Sequence, residues 1–507
     1  MSFGGLYISI SGIYANKKSL DTVSHNIANA NNKSYVRQSA IHAETRYPTT
    51  NTIGLKKGIG VDVQQIRQIR DEFLDLRIRN EKALYGYFST KSEMLGEIEA
   101  IFNELTYRGL QNVMDDFWNA WEELYKEPDS LTIRGLLHET AVAFTTTVNY
   151  INSQLNNLQY DLNKEIIQRA QEVNSILKDI AKLNKEIQKI AGNGVKISPN
   201  DLKDTLNAKL DRLSELIPID YYEDRFGGVV VTLDGRNLVN GDYINLLKIE
   251  IDDKNHGQVH WSDTGERMDL AGKGELGGYI DARDKLVPEY RDRLNILVGT
   301  LAEVINAIHR KGYTLEEPST TGIDFFQLDL KDPSSTIKLN PELNDFTKIA
   351  VSLTGAKGDG EIARAILNLR NIGLYGRRGE YQVGGVTEYV HDSIANWISN
   401  LSSLDDIDGD ILNPLKALGL SMNPDEFYKE LVLDLSLQRE EALQMANNQD
   451  VLIKQLDERR QEISGVSLDE EMANMIKYQH SYVANSRVVN AIDEMLDRII
   501  NGIGVNR

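Results

Sequence analysis

Two apolar stripes, one at each end of the chain, restrict its fold more than any other feature. At the N-terminus Leu6, Ile13, Leu20 and Ile27 stand seven residues apart, with Ile10 and Val23 filling the intermediate turns. This is the pattern of a helix with one narrow apolar face. At the C-terminus Ser467 and Glu470 have capping-box spacing, and Leu468, Met475, Tyr482, Val489 and Leu496 repeat at sevens, widened by Met472, Ile476, Ile492 and Ile499. No neighbouring segment in sequence covers either stripe, and an isolated helix of this length is marginal in water. Each stripe therefore docks on its own domain or finds a partner elsewhere, and the second outcome brings the two chain ends together.

Between the ends the period stays helical for long stretches. Val148, Ile151, Leu155, Leu158 and Leu162 lead into Val173, Ile176, Ile180, Leu183, Ile187 and Ile190 in steps of three and four, as in a coiled coil. One helix over 131–191 would reach roughly 90 Å at 1.5 Å per residue. Gly192, Gly194 and Pro199 end it, and a shorter helix over 201–217 stops at Pro218. From 219 the period changes, and RFGGVVVTLDGRNLVNGD divides β-branched runs with Asp-Gly and Asn-Gly pairs, which signal hairpins. Helix is expected again over 277–311 and from Leu412 to Glu462. After the first stripe, the Asn-rich run ends the helix, and a polar, irregular stretch is expected to about residue 60.

The expected fold is multidomain and mainly α: N- and C-terminal helices paired in a coiled-coil-like core, a long-helix domain, and β-rich and mixed α/β inserts. The boundaries read as 1–62 with 466–507 for the terminal core, and 63–217 with 276–314 and 411–465 for the long-helix domain. Residues 218–275 form the β-rich insert and 315–410 the mixed outer insert. At 507 residues the chain is too long for a single core.

Charge and composition remove several functional classes. A formal net charge of -20 repels nucleic acid phosphates and anionic lipid. The chain has no cysteine, which excludes disulfides, thiolate metal sites and cysteine nucleophiles. No stretch is long and apolar enough to span a membrane. The opening MSFGGLYISISGIYANKK has no basic segment before an apolar run and no small-residue cleavage site, so it does not read as a cleavable signal peptide.

Motifs that look chemical are better read as structure. Gly272, Gly274 and Gly277 have dinucleotide-loop spacing but follow the polar DTGERMDL rather than a buried strand. His256, His260 and Asp263 lie on a polar hairpin, without the second shell that a metal site needs. The cluster Asp405, Asp406, Asp408 and Asp410 lacks the glycine and distal glutamate of a calcium loop. Phe117, Trp118 and Trp121 stand at helical spacing, where packing is the default. No nucleophile, base and orienting residue form a set, so neither an enzyme nor a cofactor is expected.

The termini resemble a known family. SGIYANKKSLDTVSHNIANANNKSYVRQ, from Ser11 to Gln38, is similar to the N-terminal signature of bacterial flagellar axial proteins in its SLD, in the NIAN at Asn26 to Asn29, and in Tyr35; Ser34 replaces the usual glycine. Ile463 to Ile500 resembles the family's other end through SGV, LDEE, YQ, Tyr482 and Ala484. The Arg37-Gln38 pair, PDSLTIRGLL, LVNGD, RDKLVPEY, INAIHRKGY and GIDFF point within that group to the hook-associated protein 1 family, while NAKLD loosens its usual DxRD.

The resemblance implies a structural subunit at the junction of hook and filament, laid in a ring with copies of itself between hook protein and a second junction protein. It further implies export without cleavage, and localisation in the extracellular flagellum. The assembly interface would comprise Leu6, Ile10, Ile13, Leu20, Val23, Ile27 and Tyr35 with the C-terminal stripe, including Met472, Ile476, Ile492 and Ile499. Before export, a cytoplasmic chaperone would cover Leu468, Met475, Tyr482, Val489 and Leu496. On this reading, residues 1 to about 60 and 466–507 order only on assembly. Another axial subunit of hook or rod type, a wall hydrolase and an adhesin are the alternatives.

Overall fold

The computed structural model describes residues 4–32, 34–45, 60–102, 109–192, 199–253, 255–270, 272–376, 392–401 and 420–502. The chain is mainly helical and divides into two compact units, Met1–Tyr87 with Ile167–Gly277 and Met445–Arg507, and Phe88–Ile166 with Gly278–Gln444. These cut the chain differently from the four segments expected above: the terminal segments share a unit with 167–277. The aspartate cluster at 405–410 lies outside the described residues.

The longest element is the helix α4, Leu131–Gly192, unbroken as the spacing requires. It follows α1 (Gly4–Ala28), β1 (Gln38–Glu44), β2 (Val61–Gln68), α2 (Glu72–Phe102) and α3 (Leu110–Lys126). Of its expected seam, Val148, Ile151, Leu155, Leu162, Val173, Ile176, Ile180 and Ile187 are buried, and Leu158, Leu183 and Ile190 are half-buried.

In the first unit, α5 (Asn200–Leu216) ends before Pro218. It leads into an antiparallel meander, β3 (Asp220–Glu223), β4 (Val229–Leu233), β5 (Arg236–Asn240) and β6 (Tyr243–Ile244), and a separate hairpin, β7 (Leu247–Ile251) with β8 (Gly257–Trp261). The β4–β5 turn places Asp234 at φ 48 and Gly235 at φ 79, the doubly left-handed geometry for which Asp-Gly is suited. Residues 38–44 correct the expectation of irregular chain there, and pair with 61–68 as an antiparallel hairpin with a bulge between Ile41 and His42.

The dinucleotide-like glycines serve packing. A Cβ at Gly274, which has φ +75, would meet the Leu216 carbonyl oxygen at 2.5 Å, and one at Gly277 would meet that of Leu270 at 2.1 Å. They let α6 (Gly274–Asp281) start against the end of α5. Asn174 fixes the β7–β8 hairpin to α4, accepting from Leu247 N at 2.7 Å and donating to its carbonyl at 2.8 Å.

The second unit is built around aromatic rings. Phe117, Trp118 and Trp121 of α3, Phe144 of α4, and Phe325 and Phe326 are fully buried and packed ring to ring, with centroids 4.8–6.2 Å apart in the recorded pairs. Beside them runs α7 (Val287–His309), whose last residue, His309, is wholly buried. Ala350 N donates to His309 Nε2 at 2.9 Å, so Nδ1 carries the proton donated to Ile323 O at 2.7 Å. Burial pushes this imidazole down to about 4. Between α6 and α7 the turn Ala282–Leu286 is π-helical. There the buried Arg283 donates to Asn163 Oδ1 at 2.8 Å, while its carbonyl accepts from Gln159 Nε2 at 2.9 Å.

The remaining elements of this unit are β9 (Phe326–Gln327) paired with β10 (Lys338–Leu339), α8 (Pro333–Thr336), α9 (Glu361–Asn368) and α10 (Asp392–Leu401). The final helices of the chain are α11 (Pro424–Ser464) and α12 (Leu468–Gly502).

Candidate assembly site at the paired termini

The first and last helices find each other. Gly5 lies by Ile492, Gly12 by Asn485 and Asn26 by Glu471, so α1 and α12 pair antiparallel. The deepest contact face on α1 is small and polar: Ser9, Gly12, Ala15, Ser19, Thr22, Val23 and Asn26 are its buried residues. A Cβ at Gly12 would sit 2.9 Å from the Asn485 carboxamide, so hydrogen at that position is what allows the close approach.

The expected stripe residues occupy mixed positions. Val23 and Tyr35 are buried, and Leu6, Ile10, Ile13, Leu20 and Ile27 are half-buried. On α12, Met475, Val489, Ile492 and Leu496 are half-buried. Leu468, Met472, Ile476, Tyr482 and Ile499 are exposed, together with Val483, Val488 and Met495. Pairing thus covers one side of α12 and leaves large apolar side chains on the others.

A buried polar latch fixes the pairing register. Asn26 Nδ2 donates to Gln38 O at 2.9 Å and to Glu471 Oε2 at 3.0 Å, while its Oδ1 accepts from Gln38 N at 3.0 Å and from the Tyr35 hydroxyl at 2.7 Å. The carboxamide is fully satisfied. Having given its proton to Asn26, Tyr35 accepts from His25 Nδ1 at 2.9 Å. Burial, then the carboxylates of Asp201, Asp204 and Glu471, hold the phenol well above the ordinary tyrosine range.

Glu471, 2% exposed, also takes Arg37 Nε at 2.8 Å, and Arg37 Nη1 reaches Glu470 at 2.7 Å. The capping box therefore forms only on its Ser467 side, where Glu470 N approaches Oγ at 3.5 Å.

The hairpin is moored to α5 by amides. Asn200 Nδ2 donates to Gln38 Oε1 at 2.9 Å, and Gln68 Nε2 to Asp204 Oδ1 at 2.7 Å. Burial pushes the Asp204 carboxyl up to about 7, opposed by the Val36 N–H and by Arg70. Ser19 Oγ pairs with His42 Nε2 at 2.7 Å, and that ring stacks on Tyr478. A polar cleft of about 730 Å³ opens beside the latch, lined by residues including Tyr35, Arg37, Arg70, Asp204 and Arg460. Its Asp211 is neutralised between Arg79 at 2.8 Å and Arg460 at 3.0 Å.

Elsewhere, His260 Nδ1 pairs with Gly265 O at 2.9 Å. Sequence reasoning named Tyr35 but missed Asn26, Arg37 and Glu471 as a constellation, although all three lie inside the quoted signatures.

A chain whose two ends fold onto each other as helices, with signature motifs meeting in the latch, resembles the flagellar axial proteins. The model of the flagellar hook-associated protein FlgK helical domain matches residues 95–326, and that of the flagellar basal body rod FlgEFG protein C-terminal matches 458–502. The chain is 29% identical to flagellar hook-associated protein 1 of Bacillus subtilis (strain 168), covering 99% of each. It is 24% identical to the proteins of the same name from Salmonella typhimurium and Escherichia coli K12, covering 97% of this chain and 98% of each relative. The solved flagellar hook junction protein FlgK from Burkholderia pseudomallei aligns at TM-score 0.45 and 17% identity, over 50% of this chain and 46% of that one. Over nearly its whole length the chain is similar to flagellar hook-associated protein 1.

Proposed function

We propose that this chain is a structural subunit of the bacterial flagellum at the junction between hook and filament, exported unfolded and assembled through its terminal helices outside the cell. Relatedness to hook-associated protein 1 along nearly the whole length of the relatives supports the junction role. The observation that carries the assembly role is the apolar surface of α12. Leu468, Met472, Ile476 and Ile499 stay exposed on a helix that already has a partner. Large apolar side chains left exposed in such number mark an interface, and each Leu or Ile covered contributes roughly 1.5–3 kcal/mol.

On this reading residues 1–62 with 466–507 form the assembly core. Its partners are further copies in a ring, hook protein, the second junction protein and, before export, a chaperone over Leu468, Met475, Tyr482, Val489 and Leu496. The subunit has no catalytic role. Electron microscopy of a strain lacking the gene tests the junction role: completed hooks without filaments are expected, and filaments on those hooks would overturn it. A variant lacking residues 466–507 that bound the chaperone as well as intact protein would remove the chaperone part alone.

A further inference from the structure

The part of α4 that belongs to the second unit has an outer face unlike that of an ordinary solvated helix. No Asp, Glu, Lys or Arg occurs between Glu139 and Asp161, the longest such stretch in a chain with 26% charged residues. Leu137, Phe144, Val148, Ile151 and Leu155 supply the buried side. On the opposite side Ala143, Thr146, Tyr150, Ser153, Asn157 and Tyr160 follow one another in steps of three and four, all exposed. Charge returns only at the borders, where Lys164 Nζ lies 4.2 Å from the centre of the Tyr160 ring and Arg291 Nη1 donates to Asn156 at 3.1 Å. Farther along the same helix, past the exposed Gln168, Gln171 and Ser175, the exposed positions from 178 to 189 are Lys178, Lys182, Lys185 and Lys189, the usual solvated pattern.

The chemistry of this ridge selects its occupant. It has no cation for a phosphate or an acidic peptide, and its hydroxyls and amides disfavour lipid. As the outer face of a helix it is convex along its length of about 26 Å, whereas sugars and other small ligands take concave sites. Copies of a chain carrying -20 charges repel one another, and contact is least costly where no carboxylate must be desolvated. Small side chains at Ala143, Thr146 and Ser153 permit close interaxial packing. We propose that the ridge from Ala143 to Tyr160 is a contact surface for a second copy of this chain, laid alongside it. The proposal rests on reading the chain as one of several copies in an assembly.

A benzophenone-bearing amino acid replacing Tyr150 in the full-length protein, irradiated in flagellated cells, tests it. An adduct of two copies is expected. An adduct with a different protein or with glycan, or none, overturns the ridge. The same probe replacing Ile476 separates the two readings: capture of a second copy there but not from position 150 leaves the ring standing, and failure at both removes it.

As a second arm, Thr146→Glu with Ser153→Glu should reduce swimming severalfold while leaving circular dichroism and the urea midpoint unchanged. Lys182→Glu, the same change in charge at an exposed position off the ridge, should swim normally. Equal swimming by the two variants overturns the proposal, and if the double variant misfolds the cross-link decides alone.

Discussion

The paired termini and the aromatic unit solve burial in opposite ways. Around Phe117, Trp121, Phe144 and Phe325 the large apolar groups are fully enclosed, and the unit completes its core from its own chain. At the paired termini the enclosed groups include Ser9, Gly12, Ala15, Asn26 and Glu471, while Met472, Ile476 and Ile499 are exposed. Small and hydrogen-bonded groups fix how the two helices lie against each other. Part of the apolar free energy of this region is left ungained in the single chain. One region is finished on folding, and the other is arranged for a later step.

The largest test of this contrast is Trp121→Ala. It should cost about 3–5 kcal/mol through lost burial and a cavity, read as a lower urea midpoint; a loss too small to measure would mean that the aromatic unit is not self-sufficient. Acid should also separate the regions. The neutral form of His309 is favoured in the folded state, with its pKa depressed from 6.5 to about 4. Stability is therefore full above pH 6.5 and falls by about 3 kcal/mol as pH drops toward 4. Asp204 has the opposite sign: its pKa is raised from 3.8 to about 7, so its contribution is present at low pH and is lost as pH rises through 7. Hydrogen exchange against pH, resolved by segment, should show α7 loosening in acid and the β1–β2 mooring loosening as pH rises from about 4 to 7.

Arg37→Ala should remove about 2 kcal/mol, since Glu471 keeps Asn26 but loses its cation. Amide protection in α1 and α12 should fall while α3 is unchanged, and uniform loss across both units would break the comparison. The smallest effect on the monomer is expected from Met472→Lys with Ile476→Lys. At exposed sites these should shift stability by no more than about 0.5 kcal/mol yet abolish motility. Normal swimming would show that this surface needs no cover.

Much of the fold was readable where periodicity and burial coincide. The α4 seam is one case, because a long helix with one enclosed side must repeat its apolar residues at threes and fours. The Asp234-Gly235 turn is another, since few residue pairs tolerate two positive φ values. The β1–β2 hairpin was not readable, because Gln38, Gln68 and Asn200 hold it through amides, and its bulge breaks the alternation of QSAIHAE; Val61 and Val63 were the remaining trace. On α1, hydropathy selected Leu6, Ile13 and Leu20, while the recorded contacts with α12 are made at Gly5, Gly12 and Asn26 and Ser19 meets His42 of the hairpin. Apolar patterning reports what prefers to leave water, not which side chains are small enough to let a neighbour approach. The latch was visible only as two quoted motifs, NIAN and LDEE, whose meeting at Asn26 and Glu471 depends on the fold.

The π-helical turn at Ala282–Leu286 sets the rotational phase of α7. One added residue in a helix advances every later side chain by about 100°, so this turn determines which residues of α7 face the aromatic core. Deleting a single residue there should swing Leu294, Leu297 and Leu301 away from the interior without shortening the helix by more than a fraction of a turn. Arg283, held by Asn163 and Asp284, acts as the pin that keeps the extra residue in place.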